Sequence, residues 1–168
     1  MPVSLVESSI YDPYDAYLNY IGDDQFKYKR FNDKIKNLPE KLQDFIFDTM
    51  LGDFIKGRIS VPLGLSENQS QETAKIVMEL IIADLYLGNI VNEVKNRLGT
   101  DDQKAKTIAG LVIELFTPVL NDLKKMHLEK FAGSVSKQEI ESEPKLEPTT
   151  KSEAPAEDES IVDLRNIL

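Results

Sequence analysis

Cysteine and tryptophan are absent from this 168-residue chain, and histidine occurs once. Without cysteine there can be no disulfide, no thiolate nucleophile and no Cys-based zinc or iron–sulfur centre. Long apolar runs are missing too. No stretch approaches the roughly 18 uncharged apolar residues that a membrane-spanning helix needs. The opening "MPVSLVESSIYDPYDAY" has neither a basic n-region nor an unbroken apolar h-region, so no secretory signal is expected there and the expected location is the cytoplasm. No calcium loop, Gly-rich phosphate loop or Gly-x-Ser-x-Gly elbow occurs.

What is present is charge, and most of it is negative. The net charge is −9, with 29 acidic and 20 basic residues. Residues 134–168 hold nine acids against Lys137, Lys145, Lys151 and Arg165, leaving −4 on the rest. Both parts repel phosphate backbones on average, which ranks nucleic acid below protein as a partner.

The folded part reads as all-α, a compact bundle of about five helices. Ser66 and Gln69 form a capping box for a helix over residues 66–88, with Ala74, Val77, Leu80, Ile81 and Leu85 at helical spacing. Asp84 is the one polar residue in that stripe, and Gly88 is placed to end the helix in a left-handed cap. Asn89 opens a short helix that Gly99 stops. Thr100 and Gln103 make a second capping box, and the following "AGLVIELF", apolar on nearly every side, reads as the central buried helix. Pro118 must interrupt it, after which Val119, Leu120, Leu123 and Met126 resume the pattern. Upstream, Pro39 opens a helix carrying Leu42, Phe45, Ile46 and Met50 on one side.

"LPEKLQDFIFD" and "ETAKIVMELIIADLYLGNIVNEVKNRLGTDDQKAKTIAGLVIELFTPVLNDLKKMH" together resemble a class of small helical proteins from genome-reduced, candidate-phylum bacteria. The resemblance covers about residues 38–127 and consists of an opening Leu-Pro helix, a long helix ending near Leu-Gly, a short helix, and a helix broken at aromatic-x-Pro. It implies a fold type. No activity, cofactor or functional residue comes with it.

Outside that region the N-terminal fifth, residues 1–37, is rich in rings. Tyr11, Tyr14, Tyr17 and Tyr20 recur every three residues on a helix that Asp12 and Pro13 can start and Gly22 can end. This stripe either completes the core of the bundle, residues 38–131, or offers an aromatic interface. Next comes "FKYKRFNDKIKN", in which Lys27, Lys29 and Arg30 alternate with Phe26, Tyr28 and Phe31. Lys27, Tyr28, Lys29 and Arg30 are candidate nucleic-acid contacts, since basic side chains hold phosphates while rings stack on bases. The plainer alternative turns the rings inward and the cations to water.

Residues 132–159 are expected to be a disordered acidic linker, because so few apolar residues cannot offset the entropy of ordering. The linker leads to "SIVDLRNIL", residues 160–168. Ile161, Val162, Leu164, Ile167 and Leu168, with Arg165 as a polar contact, form either a candidate partner-binding peptide or a lid folded back on this chain's own bundle. Burying its apolar side chains contributes about 8–15 kcal/mol. Ordering its backbone costs about 9–18 kcal/mol. The near balance calls for a partner that adds polar contacts.

Chemistry is harder to find. His127, the sole histidine, is placed in a last helical turn as a surface or packing residue, and Asp44 with Asp48 is an unanswered carboxylate pair. The expectation is therefore a non-enzymatic adaptor or assembly factor with no cofactor or metal. An RNA- or ribosome-associated protein using residues 26–36 stands second, and a small helical enzyme third.

Overall fold

Asp12 caps the first helix, its carboxylate accepting the Asp15 N–H at 3.0 Å. The computed structural model describes residues 10–142, the last ten as backbone alone. The peptide 160–168 and most of the acidic segment before it lie outside the described residues. Among the described residues eight α-helices follow one another: α1 Pro13–Ile21, α2 Gln25–Lys36, α3 Glu40–Ile46, α4 Met50–Phe54, α5 Glu67–Ile81, α6 Ile90–Leu98, α7 Asp102–Leu115 and α8 Leu120–Ser142. A π-helical stretch, Ile55–Ser60, continues α4, and short 3-10 turns at Leu87–Asn89 and Thr117–Val119 precede α6 and α8. No strand occurs among the described residues.

The fold is all-α, with more helices than the five expected. Two extra ones come from the aromatic N-terminal fifth. A third arises because the helix after Pro39 stops at Ile46. Asp48 then accepts the Met50 N–H at 2.9 Å and starts a new turn, which throws Met50 out to 69% exposure. Asp44 and Asp48 consequently share no helix.

The central element is also a different one. On α5, Ala74, Ile76, Val77, Met78, Leu80 and Ile81 are all buried, because α1, α3, α6 and the π-helical stretch pack around it. By contrast, α7 buries one face, Ala105, Ile108, Ala109, Val112 and Leu115, and leaves Gly110, Ile113 and Glu114 exposed. Apolar composition alone did not distinguish a helix covered on all sides from one covered on one.

Caps decide the remaining boundaries. The Ser66–Gln69 capping box forms, and Gly99 closes α6 in the left-handed region. At α7, however, Asp101 supplies the cap, accepting the Lys104 N–H at 2.8 Å, while the Thr100 hydroxyl is buried without a partner. A carboxylate next to the helix N-terminus outcompetes a hydroxyl one residue earlier. α5 ends at Ile81, seven residues before the expected stop at Gly88, and Ala83 takes the left-handed conformation at φ 57°. A Cβ there costs about 1–2 kcal/mol. Gly88 serves a different need, since a Cβ at 88 would overlap the Tyr86 ring. α8 runs through Ser142, past the expected linker start at 132, because Gly133 alone is too weak a breaker to stop a long helix.

The described residues up to Phe131 form one compact unit, and those from Ala132 on belong to a second.

Candidate functional site

The tyrosine stripe of α1 meets α2 along a row of rings. Tyr20 and Tyr17 lie 5.7 Å apart, Tyr17 and Phe31 4.6 Å, Phe31 and Tyr14 5.6 Å, and Tyr14 and Phe47 5.3 Å. Phe31, in the middle, is 2% exposed, whereas the ends, Tyr20 and Phe47, are open at 55% and 60%. The row is thus core at its centre and surface at both ends. Tyr11, Tyr14 and Tyr17 pack partly buried against the core, whereas Tyr20 is exposed. Burial raises the ionisation point of Tyr14, with Tyr28 and Asp15 adding to it.

A polar knot behind this row fixes the angle between the helices. Asp84, just past the end of α5, accepts Lys34 Nζ from α2 at 2.5 and 2.7 Å and the Tyr17 hydroxyl from α1 at 3.2 Å. Lys130 of α8 reaches the Ala83 carbonyl at 2.5 Å and approaches Asp84 at 3.9 Å. Burial and the Asp84 charge hold the Tyr17 phenol far above its ordinary value, so it remains a donor. Asp84 was visible in the sequence as the lone polar residue of an apolar stripe. A buried stripe interrupted by one acid calls for cationic and hydroxyl partners, and those came from α1, α2 and α8.

Between α1 and α2 this geometry leaves a cleft of about 200 Å³. Tyr17, Tyr20 and Ile21 form one wall, Lys27, Arg30 and Phe31 the other, and the Lys34–Asp84 pair the floor. Lys75 of α5 lies 4.1 Å over the Tyr20 ring and Lys27 lies 5.9 Å from it. Lys75 in turn pairs with Glu72 at 2.7 Å, and Arg97 joins Glu72, at 2.9 Å, to Glu79. Although burial opposes it, hydrogen bonds from Lys75 and Arg97 hold Glu72 below the usual carboxylate range. Glu72 and Glu79, seven apart on α5 with Arg97 across from them, went unread in the sequence because the answering cation lies on another helix.

The candidate nucleic-acid contacts Lys27, Tyr28, Lys29 and Arg30 are all exposed. Only Phe31 of the three interleaved rings turns inward, and Phe26 stands 71% and Tyr28 41% exposed. The plainer sequence alternative, rings in and cations out, therefore fails for two rings of three. Asp24 caps α2, and its bonds from the Lys27 and Phe26 amides hold its carboxyl below the ordinary value.

At the same C-terminal end of α5, His127 is 2% exposed and lies within α8, which continues well beyond it. Its Nε2 donates to the Leu80 carbonyl at 2.7 Å, and its Nδ1 accepts the Leu87 N–H at 3.1 Å. A carbonyl can only accept and an amide can only donate, so these partners fix the neutral tautomer with its proton on Nε2. Tyr86 and Phe131 pack their rings around the imidazole. His127 is a structural tie with both nitrogens engaged. No cluster of three or more His, Asp or Glu suited to a metal ion occurs among the described residues. No helix among them is long and apolar enough to cross a membrane.

Comparisons with protein-family models, with curated proteins and with solved structures found no match for this chain.

Proposed function

We propose that this chain is a non-enzymatic, cytoplasmic adaptor or assembly factor. Its α1–α2 corner holds one protein partner, and the peptide Ile161–Leu168 recruits another. The resemblance of residues 38–127 to small helical proteins of candidate-phylum bacteria supplies a fold type without an activity, so the reading rests on the surface. One observation carries it: on α2 the helix buries Phe31 and leaves Phe26 at 71% exposure, beside the exposed cations Lys27, Lys29 and Arg30. Covering a phenylalanine side chain contributes about 1.5–3 kcal/mol, a gain this fold leaves for something else to collect. Phe47 and Met50, at 60% and 69% exposure, extend the uncovered apolar surface at the far end of the ring row.

The same rings between Lys27, Lys29 and Arg30 favour a second reading, a single-stranded RNA contact in which bases stack on Phe26 and Tyr28. The net charge of −9 opposes it.

Co-purification from the native host tests the adaptor reading. The tagged chain retains discrete protein partners, and one of them is lost with Phe26→Ser plus Phe47→Ser but kept with Lys106→Ser on α7. Truncation after Glu159 loses a different one. Identical recoveries from all four forms contradict the reading.

A further inference from the structure

We infer that the α1–α2 corner docks an acidic peptide segment of its protein partner, seating carboxylates on Lys27 and Arg30 and an apolar side chain against Phe26 and Tyr20. This rests on the adaptor reading and names the chemistry of the first partner.

Charge supplies the main argument. Over twelve residues α2 carries five bases, Lys27, Lys29, Arg30, Lys34 and Lys36, against one acid, Asp33. The chain as a whole is at −9, so this helix inverts the sign of the molecule. Lys34 is committed to Asp84 at 2.5 Å. The one ion pair of Lys27 among the described residues is an exposed contact with Asp24 at 3.8 Å, and Arg30 forms none there. The two open cations share one wall of the cleft, three residues apart on one helix face. Arg30 presents a planar fork that takes a carboxylate through two parallel bonds.

The apolar half of the site lies within reach. Phe26 precedes Arg30 by one turn, and Tyr20 borders the same cleft. Cation and ring together suit a segment that alternates carboxylates with apolar side chains, and the cleft has room for about one side chain. Polyphosphate fits less well. Asp23, Asp24 and Asp33 stand exposed within a few residues of Lys27 and Arg30, and their charges repel a polyanion that must run along the helix. A peptide can space its charges to avoid them.

The test is fluorescence anisotropy with the full chain and three labelled probes: a short peptide of glutamates bearing two phenylalanines, its lysine counterpart, and an oligouridylate. The acidic peptide binds, more weakly as salt rises. Arg30→Glu weakens it about tenfold or more, and Phe26→Ser several-fold, with unchanged melting in both variants. Lys106→Glu, the same charge change on exposed α7, leaves affinity within about twofold. The lysine peptide does not bind. Tighter binding of the oligouridylate overturns the inference in favour of nucleic acid. No acidic-peptide binding at about 1 mM overturns it, and so does an equal loss in Lys106→Glu. If the peptide fails while the Phe26→Ser, Phe47→Ser chain still loses its co-purifying partner, only the partner's chemistry is wrong and the adaptor reading stands.

Discussion

Replacing His127 with leucine is expected to cost about 2–4 kcal/mol and to remove a pH dependence that the native chain shows. The Leu87 N–H loses its acceptor in a part-buried position, an orphaning that costs about 1–3 kcal/mol. The Leu80 carbonyl loses the His127 donor but keeps the Ala83 amide at 3.2 Å, so its share is smaller, about 1 kcal/mol. Ring contacts with Tyr86 and Phe131 are disturbed as well. His127→Gln can recover part of the loss, because its amide reaches where Nε2 stood.

The pH dependence follows from the same geometry. Burial lowers the ionisation point of His127, and the nearby Lys130 charge pushes the same way, while the bond to Leu80 opposes them. The folded chain therefore binds this proton less readily than the unfolded chain, whose histidine titrates near 6.5. Stability is fully present above about pH 6.5 and falls as the pH drops toward the folded value, by at most about 1.4 kcal/mol per pH unit. His127 is the only histidine, so its share of the slope is the part that His127→Leu removes. Urea titrations at several pH values between about 5 and 7 should show a steeper slope in the native chain than in His127→Leu. An equal slope in both would assign it elsewhere and undo the account of the buried tie.

Two phenylalanines five residues apart on α2 should behave as opposites. Phe31 is 2% exposed between Tyr14 and Tyr17, and it anchors α2 on α1. Phe31→Ala is expected to cost about 3–5 kcal/mol, from lost transfer energy plus the cavity left behind. Against a total stability of about 5–15 kcal/mol, that is a lowering of the melting temperature no measurement could miss. Phe26→Ala, at 71% exposure, should change stability by about 0.5 kcal/mol or less. Chemical denaturation of the two variants decides it. If Phe26→Ala proves as costly as Phe31→Ala, Phe26 is part of the core and cannot be held out for a partner.

Periodicity and capping residues made most of the helices legible. Asp12, Pro13 and Gly22 bounded α1, Ser66 and Gln69 opened α5, and Gly99 closed α6, because each acts through local backbone bonds. Contacts that cross between helices were not legible. Nothing near Asp84 in the sequence announces Lys34, Tyr17 or Lys130, and nothing near His127 announces Leu80 and Leu87. Ala83 misled for a related reason. Left-handed backbone was assigned to the nearest glycine, Gly88, whereas packing around the end of α5 placed it on an alanine. The candidate site was half visible. The sequence marked the rings and cations of residues 11–31, but only the packing of α1 on α5 decided that Phe31 goes in and Phe26 stays out.

The most direct test of the α1–α2 corner as a docking surface is photo-crosslinking in living cells of the native host. A photoreactive phenylalanine analogue is placed at position 26 in one chain and at position 106 in another. Adducts of discrete mass, formed with protein from position 26 and absent from position 106, are the predicted result. No adduct from position 26, or the same adducts from both positions, would contradict it.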